Sequence, residues 1–180
     1  VSKSSGNNTV SFTLTATRDI ILNGTIGATV GILNVIFNAG NNLQLNNSVD
    51  THGGTASLTA TAGAISDGNA AALNLKAVSM TATAATGIDL DVDLTTLRSA
   101  SVTGTGAIDI SDTAGGLAVT SATTNDGAIT LGATGGNLDL TTVTASGTGR
   151  NITLTTTASG NINVVNVTAT GANASATSAG

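Results

Sequence analysis

The sequence predicts an all-β fold: a right-handed parallel β-helix of about seven triangular coils, each of roughly 22 residues. Three observations predict it. The stretch from Gly127 to Thr170 is two copies of one pattern, with Ile129-Thr130-Leu131, Leu138-Asp139-Leu140 and Val143-Thr144-Ala145 answered by Ile152-Thr153-Leu154, Ile162-Asn163-Val164 and Val167-Thr168-Ala169. Each copy holds short apolar-polar-apolar alternations, whose period of two puts the apolar side chains on one strand face. The composition agrees: 8% of residues are charged and 1% aromatic, with no Pro, Cys, Trp or Tyr, and all ten acids are Asp. Thr, Val and Ile suit strands, Gly, Asn and Asp suit turns, and the helix formers Glu, Lys and Arg are absent or scarce.

In chain order, Val1 to Thr9 is polar and aperiodic and reads as a lead-in or frayed end. Residues 10–170 read as one solenoid domain, and 171–180 as a polar tail or the start of a further coil. The first strand of each coil falls near Ile20-Leu22, Leu43-Leu45, Ile65, Ile88-Leu90, Ile108-Ile110, Ile129-Leu131 and Ile152-Leu154, at steps of about 20 to 23 residues. The second falls near Ile26, Val49, Leu73-Leu75, Leu97, Leu117-Val119, Leu138-Leu140 and Ile162-Val164. The third falls near Phe12-Leu14, Val35-Phe37, Leu58, Val78-Met80, Val102, Ala122, Val143 and Val167. Ile108, Ile129 and Ile152 are expected in one inward stack. Glycines such as Gly40, Gly53-Gly54, Gly68 and Gly135-Gly136 mark corners, where positive φ is cheap for glycine. The uneven step disfavours a left-handed hexapeptide helix. Coils at about 4.8 Å each give a rod of about 34 Å.

No apolar run reaches the roughly 18 residues of a spanning helix; the densest, Val30 to Phe37, is broken by Gly31 and Asn34. Two Phe cannot furnish the aromatic girdles of a membrane barrel. A net charge of −5 with five Lys/Arg leaves no basic footprint for nucleic acid. The lack of cysteine fits any redox compartment. No signal peptide is visible at Val1, so the chain is expected to be mature or part of something longer. Neither end carries a helix, charged cap or proline to close the open strand edge. Further coils or further copies of the same solenoid are therefore the expected partners, with Ile152, Leu154, Ile162, Val164 and Val167 forming the exposed last layer.

Two constellations stand out. The first is a series of hydroxyl triplets in the third column: Thr15-Ala16-Thr17, Thr59-Ala60-Thr61, Thr81-Ala82-Thr83, Thr103-Gly104-Thr105, Ser121-Ala122-Thr123, Thr144-Ala145-Ser146 and Thr168-Ala169-Thr170, broken only by Asn38-Ala39-Gly40. On a solenoid they make two ranks of hydroxyls, which resemble the ice-binding faces of antifreeze solenoids. Thr is equally a good solvent-facing strand residue that avoids charge repulsion between coils. The second constellation is Asp89, Asp91 and Asp93, alternating on one face with Asp109 about one coil later. Stacked carboxylates repel unless protons or a cation intervene, so Ca²⁺ at Asp89, Asp91 and Asp109 is weighed against plain solvated acids. No EF-hand or Gly-Gly-x-Gly-x-Asp spacing occurs.

His52 lies in a Thr-His-Gly-Gly corner without a nucleophile arrangement, and Arg18, Arg98 and Arg150 are scattered. No catalytic residues are expected, and the chain reads as non-enzymatic. The sequons at Asn7, Asn23, Asn46, Asn151, Asn166 and Asn173 are what a chain this rich in Asn, Ser and Thr supplies by composition.

The runs Arg18-Asp19-Ile20-Ile21-Leu22-Asn23-Gly24, Asn38-Ala39-Gly40-Asn41-Asn42-Leu43-Gln44-Leu45-Asn46 and Gly53-Gly54-Thr55-Ala56-Ser57-Leu58-Thr59-Ala60 resemble coils of filamentous haemagglutinin-type exoproteins. The resemblance spans Val10 to Thr170. It implies a right-handed β-helix shaft, two-partner secretion to the bacterial cell surface or medium, and roles in adhesion, biofilm or surface filaments. A host cell, a polysaccharide or an abiotic surface would be the partner. The family's secretion domain, with its Asn-Pro motifs, has no counterpart in a chain without proline, so no functional residue carries over.

Overall fold

A computed structural model describes residues 1–179, and every regular element among them is a β-strand. A partial coil comes first, with β1 (Ser2–Lys3) and β2 (Thr9–Ala16). The next two coils have three strands each: β3 (Ile20–Leu22), β4 (Ile26–Ala28) and β5 (Ile32–Ala39), then β6 (Leu43–Leu45), β7 (Val49–Asp50) and β8 (Thr55–Ala60). β9 (Ile65–Asp67) and β10 (Leu75–Ala84) make the third coil, and β11 (Ile88–Thr105) makes the fourth alone. β12 (Ile108–Asp112) with β13 (Leu117–Asp126), β14 (Ile129–Thr134) with β15 (Leu138–Ala145), and β16 (Ile152–Thr157) with β17 (Ile162–Ala169) complete the stack. β18 (Ala174–Thr177) opens another coil, for about eight turns in all. Each strand pairs in parallel with its counterpart one coil away, so backbone donors and acceptors are satisfied between coils.

The first column stands as the periodicity predicts. Ile65, Ile88, Ile108, Ile129 and Ile152 pair in succession, and Ile108, Ile129 and Ile152 have no solvent exposure. Alternation does the work: β12 and β14 bury Ile108, Ile110, Ile129 and Leu131 while Asp109 and Thr130 between them face out. At the N-terminal end Phe12 meets Phe37 edge-on, with ring centroids 6.4 Å apart.

The other two columns differ from the spacing argument. Leu75 pairs with Val49 on one side and Val92, not Leu97, on the other. Leu97 instead lies between Met80 and Val119, so Met80, Leu97, Val119, Leu140 and Val164 form one rank. Ala100, not Val102, is the partner of Ala122. Val78, assigned to the core column, is 46% exposed. The cause is uneven coil length: residues 68–74 form a long connection between β9 and β10, whereas β11 runs through its whole coil without a turn. A register shift between Met80 and Thr81 then sets Ala82 against Ala100, and another lies between Val102 and Thr105. A one-residue slip turns every later side chain to the opposite face relative to simple counting. From the third coil on, the expected second and third strands also fuse into one, as in β10, β13, β15 and β17.

The ends differ too. Within the expected lead-in, Ser2 and Lys3 pair with Gly27 and Ala28, the Val1 ammonium donates to the Thr25 carbonyl (3.0 Å), and Lys3 Nζ donates to the Ser5, Gly6 and Val30 carbonyls. Ile152 and Leu154, expected in an exposed last layer, are buried because Ala174 and Ala176 of β18 pair over them. Val164 remains half-exposed, and Ile162 and Val167 are only partly covered. Of the corner glycines, Gly135 has positive φ (76°), but its neighbour Gly136 has not. Gly136 is needed because a Cβ there would sit 2.3 Å from the Gly115 carbonyl oxygen.

Candidate functional site

The hydroxyl face is real but narrower than the triplets suggest. Thr15, Asn38, Thr59, Thr83, Ser101, Thr123, Thr144 and Thr168 pair coil to coil in one unbroken rank along the third column. All are uncharged, and every member but Asn38 carries a hydroxyl. The second rank does not consist of the expected partners. Thr81 lies beside Ser57 and Ser99, two residues out of step with Thr59, because the long connection at residues 68–74 delays β10. Thr17, Thr61 and Thr170 lie just beyond the ends of β2, β8 and β17, on the corner. Thr103 donates to the Ala84 carbonyl (3.4 Å), and Thr105 pairs with Asp126 past the second shift. A single straight rank with a broken companion is what the face presents.

Asp89 and Asp109 are direct partners on adjacent coils, and Asp91 pairs with Ser111. Burial pushes each of the three carboxyls up, and mutual repulsion adds to it: Asp67 acts on Asp89, Asp67, Asp89 and Asp109 act on Asp91, and Asp89 acts on Asp109. Asp93, expected on the same face, is taken by Lys76 in an ion pair. Among the described residues no group of three or more His, Cys, Asp or Glu gathers closely enough to hold a metal ion. The chemistry of this stack is retention of protons at pH values where isolated Asp has lost them.

His52 sits at φ 49°, its amide donating to Asp50 Oδ1 (2.8 Å). Its Nδ1 lies 2.8 Å from the Gly31 carbonyl oxygen. A carbonyl only accepts, so Nδ1 carries the hydrogen, and the ring locks a corner to the preceding coil. Arg150 likewise clamps adjacent coils by donating to Asp126 Oδ1 (2.8 Å), which holds the Asp126 carboxyl below the usual range.

Counting strands missed the buried polar corners. Thr51 shares its one hydroxyl hydrogen between the Gly54 and Lys76 carbonyls, while Thr124 donates to Gly127 and Thr156 to Gly160, so that hydroxyls satisfy carbonyls inside the stack. Asn74, with no solvent exposure, donates to Asp67 Oδ1 (2.9 Å) and accepts from the Asp91 amide (2.8 Å). Asp112 is 1% exposed; its Oδ1 accepts from the Leu94 amide (2.9 Å) while Oδ2 has no partner. The signal for Asp112 is in the sequence, since Ile108, Ile110 and Asp112 continue one inward alternation.

Comparison with known proteins found no matching family model, no matching curated protein and no matching solved structure.

Proposed function

We propose that this chain is a length of shaft in an extracellular bacterial adhesin or surface filament, serving as a non-enzymatic structural rod. The observation that carries the reading is the unbroken parallel ladder from β1 to β18, in which the same ranks run from coil to coil. Such a stack sums nearest-neighbour interfaces and lengthens without a new core design, which suits a spacer. The half-exposed Val164 and partly covered Val167 on the last full coil support continuation coil on coil, within one chain or by head-to-tail stacking. The resemblance of its coils to filamentous haemagglutinin-type shafts points the same way. Immunogold labelling of cells with antibodies to the coil surface tests it. Label on surface fibres is expected; label confined to the cell interior would overturn the reading.

One observation favours a second reading, binding of ice or another ordered surface: the uncharged hydroxyl rank stays in register through every coil from Thr15 to Thr168. Parallel strands set its spacing at about 4.8 Å, a regular lattice for water. Thermal hysteresis should then be measurable and lost in Thr83→Tyr and Thr123→Tyr, which place a ring across the rank. A solution of the chain that leaves ice crystals unshaped discards this reading.

A further inference from the structure

Asp112 occupies a position where every neighbour argues for an apolar or hydroxyl side chain. Val92, Asp112, Ala133 and Thr156 pair in succession along one inward rank. Val92 and Ala133, the flanking members, are buried. Thr156 at the equivalent corner is neutral and satisfied by the Gly160 carbonyl, four residues on. Asp112 has a glycine at the same offset, Gly116, but brings a carboxylate. One oxygen does the work of a backbone carbonyl, accepting from Leu94 of the preceding coil, and the other is sealed without a partner. A charge on that sealed oxygen is costly in an apolar stack, whereas a proton removes it.

We propose that the Asp112 corner is a pH-responsive joint in the shaft, closed between the fourth and fifth coils when its carboxyl is protonated and loosened when it ionises. Burial pushes this carboxyl up to about 6, with Asp93 of β11 adding repulsion. The amides of Leu94, Ala114 and Gly116 oppose the rise. Lys76 of β10 is engaged with Asp93 and offers no cation to Asp112. β14 carries no ionisable side chain, β13 carries only Asp126 at its far end, and Asp109 on β12 alternates outward. Arg98, the one cation on β11, is exposed and donates to Ser79 Oγ (3.2 Å), so no positive group faces the sealed oxygen from the strands packed around it.

The folded value lies above the ordinary 3.8, so the contribution is full below about pH 4 and falls away as pH rises through about 6. Asp89, Asp91 and Asp109 are also raised and add a background of the same sign, while Asp19 and Asp126 are lowered and act only at more acid pH.

The test is denaturant unfolding of the full chain at pH 5 and pH 7.5, in wild type, Asp112→Asn and Asp112→Thr, the last rebuilding the Thr156 corner. Wild type should lose about tenfold more of its folded-to-unfolded ratio between those pH values than either variant. Carboxyl-carbon NMR of Asp112 in the wild-type chain is the second measurement, independent of whether a variant folds, with an expected midpoint near pH 6. A midpoint at or below 4, or a pH dependence unchanged in both variants, overturns the joint.

Discussion

Replacing Ile129 by aspartate is expected to prevent folding of the stack, the largest effect of any single substitution considered. Ile129 is fully buried between Ile108 and Ile152, with Leu131 beside it on the same strand. A carboxylate there meets aliphatic carbon above and below. Its isolated burial costs several kcal/mol against a total stability of about 5–15 kcal/mol for a domain. Asp112 shows what makes a buried acid tolerable: a corner position and an amide donor from Leu94. Ile129 opens β14, and its own amide and those of Ile108 and Ile152 are spent on the carbonyls of Asn151, Ala128 and Asn173. The milder Ile129→Ala keeps the rank apolar and should cost about 2–5 kcal/mol through the cavity it leaves. Circular dichroism with thermal and urea melts reads both. A cooperative Ile129→Asp melt near wild type would show that the inward rank is wrongly placed.

Gly127→Ala should cost about 3 kcal/mol or more, although only one methyl is added, at the buried corner between β13 and β14. The reason is coil-to-coil stacking. A Cβ on Gly127 would lie 1.7 Å from the Gly106 carbonyl oxygen and 2.4 Å from its carbon. The obstacle is backbone, which cannot swing aside without breaking the pairing of two coils. Gly106 stands in the same relation to Thr86, whose carbonyl oxygen would be 1.9 Å from a Cβ. Gly132→Ala is the control, because the nearest atom to its Cβ would be Ser111 Oγ at 3.9 Å. There alanine removes backbone freedom from the unfolded chain and should be neutral or stabilising by about 0.5–1 kcal/mol. Equal melting temperatures for the two variants would contradict the stacking argument.

Both arguments use features that the sequence exposes unevenly. The first column was legible because Ile88, Ile108, Ile129 and Ile152 each open an alternation after a turn, at nearly constant spacing. The second and third columns were not, because the connection at residues 68–74 lengthens one coil, β11 drops the turn from the next, and a bulge then leaves the hydrophobic pattern almost unchanged while shifting register. Met80 and Leu97 look alike in sequence whichever column they serve. The long connection at residues 68–74 sets the hydroxyl triplets out of step: Thr83, not Thr81, shares a rank with Thr59. Glycine corners were visible, but not the reason for them, since Gly127 and Gly136 answer to a neighbouring coil rather than to their own φ. Asp112 is masked by its residue type, an acid that alternation with Ile108 and Ile110 nonetheless turns inward.

Cryo-electron microscopy of the native protein tests the proposed shaft most directly. The expected result is a rod with an axial repeat of about 4.8 Å in which this segment continues, coil on coil, into further coils of the same cross-section. Isolated compact particles in which β2 and β17 are both covered by ordered, non-solenoid chain would contradict it.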